Sequence, residues 1–97
     1  LSIDGPMTNP ALSPELHPLY ESPLRTPCVV GRVVAPAHAP EWARWLAEIG
    51  FIPGEQVSVL ARGLSGANTL VVRAGSSTFA LRKAEAACVQ VRQLVGV

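Results

Sequence analysis

Few residues in this 97-residue chain could do chemistry: two histidines, His17 and His38, two cysteines, Cys28 and Cys88, and seven acids. Catalysis needs a nucleophile, a base and an orienting group that converge in one pocket. His17 lies in a proline-rich stretch, and Ser65 and Ser76-Ser77 sit in turn segments, where hydroxyls bond the nearby backbone. No His-x-x-x-His pair and no nucleophile-elbow spacing occurs, and Gly63-Leu-Ser-Gly66 is too short for a phosphate loop and lacks a following lysine. The expectation is a protein without catalysis.

Metal ligation is similarly thin. Ferrous ion is commonly held by imidazoles and a carboxylate, and the available ligands, His38, Glu41, Glu48, Glu55 and Glu85, are scattered. His38 with Glu41 is the one close pair and the weak metal candidate, which surface solvation explains more simply. No cofactor is expected, and any iron association would be weak or indirect. Cys28 and Cys88 open the predicted first and last strands. If those strands are neighbours the thiols could form a disulfide, or half a metal site with His38. Without a Cys-x-x-Cys spacing, the simpler reading is two small, partly buried thiols in a reducing cytosol.

The elements around these residues are better defined. Trp42, Trp45, Leu46 and Ile49 fall at i, i+3, i+4 and i+7, one apolar helix face, with Glu41, Arg44 and Glu48 off it. Pro40 suits the first helical turn and Glu41 the positive end of its dipole, although Ala39 offers no capping side chain. Gly50 stops the helix in a left-handed conformation, and Phe51 folds back on its last turn. Pro53-Gly54 then fit a type II turn, and from Val57 the period becomes two.

Strands are predicted over 28–34, 55–62, 69–74, 76–82 and 87–94, with a single helical turn at Lys83–Ala87. The inward positions are Val29 and Val33, Val57 and Val59, Leu70 and Val72, Phe79 and Leu81, and Val89 and Val91. Five short strands bury little as a flat sheet, whereas closure removes most edges. The predicted fold is mainly β: a small five-stranded SH3-like barrel with one short α-helix between strands 1 and 2. Residues 1–27 hold six of the nine prolines and a charge of −2, against +3 for 28–97. They read as a flexible proline-rich tail with turns, in which Leu12, Leu16, Leu19, Tyr20 and Leu24 could dock. Met7 is a candidate initiator. No apolar run approaches the ~20 residues of a membrane span, and no charged start precedes one, so no signal peptide is expected.

Leu46-x-x-Ile-Gly-Phe-Ile-Pro-Gly-x-x-Val57, followed by Phe79-Ala-Leu-Arg82 and Glu85-Ala86 before the last strand, resembles the ferrous iron transport protein A (FeoA) domain. The resemblance covers about residues 28–95, and the helix-to-turn segment is its most specific part. It implies an SH3-like barrel in the bacterial cytoplasm that regulates ferrous iron uptake. The partner it implies is the cytosolic GTP-hydrolysing domain of a membrane ferrous-iron permease. The alternative is a metal-responsive SH3-like domain, as in iron-dependent repressors, with transition metal ion binding. The proline-rich start departs from the family pattern.

Two surface features bear on partners. Arg32, Arg62, Arg73, Arg82 and Arg92 give each predicted strand one arginine on its outward parity. Solvation explains them, or an acidic partner surface. A nucleic-acid-binding barrel is a third, less favoured alternative, since the exterior shows little aromatic stacking equipment. Trp42, Trp45 and Leu46, with Leu60 on a polar parity beside Arg62, are the predicted partner contacts, since two indoles of ~200 Å² each are hard to hide on a small barrel.

Overall fold

Alternating β-branched segments and one apolar helical stripe account for the architecture. The computed structural model describes residues 11–63 and 68–95. In chain order these form β1 (Ala11–Leu12), β2 (His17–Pro18), a 3-10 turn (Leu19–Glu21), β3 (Cys28–Val33), α1 (Glu41–Glu48), β4 (Gln56–Arg62), β5 (Thr69–Ala74), β6 (Ser77–Arg82), the single-turn helix α2 (Lys83–Ala86) and β7 (Val89–Val95). Strand order is β1-β7-β3-β4-β5-β6, with β2 also on β7, and all these ladders are antiparallel. The five long strands are those expected. Two short ones precede them, so the helix lies between the third and fourth strands in chain order.

The core is the inner face of this curled sheet. Val57, Val59, Leu70, Val72, Leu81, Val89 and Val91 are buried and Phe79 packs half-buried beside them, as their parity predicts. The first long strand departs from its prediction. Cys28 and Val30 point inward instead of Val29, and a register shift between Val30 and Arg32 then returns Val33 to the core side. One extra residue in a bulge reverses side-chain parity beyond it.

The junction between α1 and β4 follows its sequence signals bond by bond. Phe51 N–H donates to Leu46 C=O at 2.9 Å and Gly50 N–H to Ala47 C=O at 3.2 Å, the paired bonds of a Schellman cap. Gly50 has φ +124° and Gly54 φ +91°. Glu55 N–H closes the Pro53-Gly54 turn onto Ile52 C=O at 3.0 Å. Val30 and this turn exchange two further bonds, Gly54 N–H to Val30 C=O and Val30 N–H to Glu55 C=O. These bonds fix the helix end to β3, and α1 has no side-chain cap at its start.

The expected mobile tail does not describe residues 11–27. They form a strap across the barrel: β1 and β2 pair with β7, and Ser13 N–H donates to Gln93 C=O at 2.9 Å. Leu19 and Ser22 are fully buried. Arg25 N–H bonds Val59 C=O at 2.7 Å, leading the chain into β3. Proline allows this because β1 and β2 are edge strands, where a missing N–H breaks no interior ladder. Residues 1–10, with Met7, lie outside the described residues.

Gly31, at the β3 bulge, lies against Leu16 of the strap. A Cβ there would collide with Leu16 Cδ2, the end of a flexible side chain. Gly31→Ala should therefore lift Leu16 while the barrel persists, costing about 1–2 kcal/mol. Hydrogen exchange should quicken at the Ser13 amide and stay slow across β4 to β6; unchanged exchange at Ser13 would show that this contact does not hold the segment.

Candidate functional site

An open, largely apolar groove of about 390 Å³ lies between the segment entering α1 and α2. Val34, Pro36, His38 and Trp42 form one side, with Ala87 and Cys88 among the residues of the other. Trp42 is half-buried, and its ring meets the His38 imidazole edge-on at 6.1 Å. One helical turn on, Trp45 remains 39% exposed, and Ile52 and Val34 are 46% and 53% exposed. Leu46, at 0% exposure, centres the apolar stripe of this eight-residue helix on the core, with Trp42 and Ile49 part-buried beside it, and leaves Trp45 at the edge.

The predicted partner contacts thus separate. Trp42 and Trp45 face a reachable surface. Leu46 is core. Leu60 is half-buried at a second register shift, between Val59 and Ala61. That bulge also brings Arg62 into register with inward-facing Leu70, while Arg62 itself stays exposed at the end of the strand, as predicted. At the barrel rim its Nη2 donates to Tyr20 C=O at 2.7 Å and to Ser22 C=O. Arg92 similarly donates to Pro14 C=O. Two of the five exterior arginines therefore hold the strap. Arg32, Arg73 and Arg82, like Arg62, are exposed, and Arg92 is half-buried. Gly50, Phe51, Pro53 and Gly54 form the turn as predicted.

His38 and Glu41 are both exposed, and among the described residues no three of His, Cys, Asp and Glu gather as a ligand set. The two cysteines are free and buried. Their strands are neighbours, as expected, but antiparallel. Cys28 faces Gln93, whereas Cys88 lies beyond the Val33–Val89 pair at the other end. Some five residues of strand, about 16 Å, separate them, far beyond the ~7 Å Cα reach of a disulfide. Burial, reinforced by Glu85, pushes the Cys88 thiol above its ordinary pKa, so the groove presents it as a neutral, weakly reactive group. Glu85 itself accepts from Arg82 N–H at 2.8 Å and pairs with the Arg82 guanidinium, capping α2.

Sequence reasoning missed the strap contacts of Tyr20, Ser22 and Lys83. The Lys83 ammonium lies 4.9 Å over the Tyr20 ring, and His17 shares a 3.0 Å hydrogen bond with the Ser22 hydroxyl. The one local signal was the run of apolar residues spaced between prolines.

Comparison with known proteins gives three results. A family model described as the FeoA domain matches residues 17–93. No curated protein matches the chain. Solved structures do match. One is a FeoA of Stenotrophomonas maltophilia complexed with zinc, an SH3 domain protein suggested as a bacterial ferrous iron transport activating factor. It is 42% identical, over 75% of this chain and 86% of that one, with a TM-score of 0.67. A FeoA-like protein of Clostridium acetobutylicum is 19% identical over 88% and 94% of the two chains, at 0.71. A manganese-dependent transcriptional repressor is 24% identical over 84% of this chain and 44% of its own, at 0.69. The last two speak to the fold alone, which all three share. Among the described residues no helix is long and apolar enough to cross a membrane.

Proposed function

We propose, from the premise that this chain belongs to the FeoA domain family and is thereby linked to ferrous iron transport, that it acts as a cytoplasmic accessory protein of ferrous iron uptake. In this reading it regulates by contact with the cytosolic GTP-hydrolysing domain of a membrane ferrous-iron transporter and carries out no reaction itself. The observation that supports it is the apolar groove with Trp42 on its wall and exposed Trp45 one turn along the helix. Exposed aromatics beside a concave apolar surface are the usual anchors of an interface.

An NMR titration of the full chain with that cytosolic domain tests the reading. The Trp42 and Trp45 indole signals and the Val34 amide should shift. Trp45→Ala should weaken binding about tenfold or more, and its melting temperature should stay near that of the parent because the side chain is part-exposed. Shifts confined to other faces, or binding indifferent to Trp45→Ala, would sink the proposal.

A second reading, a metal-responsive domain, is favoured by His38 on the groove wall and by the zinc complex of the 42%-identical relative. Calorimetry with ferrous or zinc ion under reducing conditions, with His38→Ala as control, separates it from the first.

A further inference from the structure

One open end of the barrel gathers three cations that neither the groove nor the core uses. Arg62 closes β4, Thr69 opens β5, Arg82 closes β6 and Lys83 opens α2. Tyr20, from the strap, lies across them. Two adjoining clefts share Tyr20 and Lys83: one of about 180 Å³ adds Arg62 and Thr69, and the other, of about 450 Å³, adds Asn68 and Arg82.

Each cation is already held in place. The Arg62 guanidinium is anchored through Nη2 to the Tyr20 and Ser22 carbonyls, which accept hydrogen bonds but cancel no charge. The Lys83 ammonium rests on the Tyr20 ring. Arg82 alone has a carboxylate, its Nη2 3.3 Å from Glu85 Oε2. Glu21, next to Tyr20, lines neither cleft. The clefts therefore carry a net surplus of two positive charges in a chain whose total is +1.

We propose that this end of the barrel is a binding site for a phosphate-type oxyanion, free or as the phosphate of a nucleotide. A tetrahedral dianion offers several acceptors at once, to the unused Arg62 nitrogens, the Lys83 ammonium and the Thr69 hydroxyl. Anchored donors lose little freedom on binding, which favours affinity in an otherwise shallow site. Because Tyr20 and the carbonyls that hold Arg62 belong to the strap, the site is complete only with residues 17–22 docked. The anion is thereby linked to strap docking and stabilises it by mass action.

NMR titrations of the full chain with inorganic phosphate and with ATP, at constant ionic strength set by chloride, test this. Saturable shifts are expected at the Thr69 and Lys83 amides and the Tyr20 ring, with dissociation constants of about 1 mM or tighter. Tighter saturation by ATP assigns a nucleotide phosphate, and equal affinity assigns the free anion. Lys83→Gln should weaken binding about tenfold through loss of one charge-assisted contact, while Arg73→Gln, elsewhere on β5, leaves it unchanged. The absence of saturable shifts up to about 10 mM of either anion, or equal weakening by both variants, overturns the proposal.

Discussion

Leu19→Ala should destabilise the protein by about 3 kcal/mol, lowering its melting temperature by roughly 10–20 °C. Leu19 stands in a stretch with the composition of a disordered leader, yet its side chain is 0% exposed and belongs to the main core cluster. Around it the strap is fixed by ladders to β7, by the Arg62 and Arg92 contacts and by the Ser22 hydroxyl, which meets both His17 and the Cys28 thiol. Removing most of a buried leucine loses its transfer free energy and leaves a cavity that a short 3-10 turn fills poorly. Leu12→Ala and Leu24→Ala are the matched controls: both leucines are about half exposed, and their loss should cost under about 0.5 kcal/mol. Thermal melts of the three variants are sufficient. If Leu19→Ala behaves like its controls, the strap contributes nothing to stability and the docked arrangement is not the one in solution.

That expectation also marks where the sequence stopped being readable. Proline spacing correctly excludes interior strands from residues 11–27, but it says nothing about edge strands, which proline tolerates. Whether Leu12, Leu16, Leu19 or Leu24 goes inside depends on the path across β7 and β4, a tertiary fact with no local signature. The two register shifts have the same origin. Counting in twos along unbroken strands puts Val29 inward and Arg62 outward. Bulges near Gly31 and Leu60 reverse that parity, bringing Val30 into the core and pairing Arg62 with buried Leu70, although Arg62 itself stays exposed at the strand end. Cys28 and Cys88 were correctly placed on neighbouring strands, and strand direction alone decides that they lie at opposite ends.

The readable part was local. α1, its glycine stop and the Pro53-Gly54 turn follow from side-chain chemistry over a few residues, and the structure reproduces their bonds. The docking surface was half legible for a related reason. Spacing puts Trp42, Trp45, Leu46 and Ile49 on one stripe, but which of the four fills the core depends on the helix's rotation over the sheet. Leu46 takes the interior and Trp45 the edge. The proposed phosphate-type site was not legible, because its cations close β4 and β6 and open α2, and only the fold brings them together beside Tyr20 of the strap.

Phe51→Ala should be the most damaging substitution of all, at about 3–5 kcal/mol. For a domain of this size the expected stability is about 5–15 kcal/mol, so the loss reaches the low end of that range and the variant should melt far below the parent. Phe51 is fully buried and its ring lies 6.0 Å from that of Phe79, tilted at 54°, an aromatic pairing worth about 0.5–1.5 kcal/mol beyond area. It is also the residue whose N–H closes the helix cap onto Leu46, so its side chain and backbone secure α1 to the sheet together. Two companions separate these roles. Gly50→Ala keeps the ring but forces a side chain into φ +124°, costing about 1–2 kcal/mol. Ile52→Ala, next in the chain but 46% exposed, should cost under about 1 kcal/mol. Urea titrations of the three variants should rank Phe51 above Gly50 above Ile52. A Phe51 loss no larger than that of Ile52 would mean that α1 is not seated on the sheet through this residue, and the groove and exposed Trp45 would lose the support that positions them.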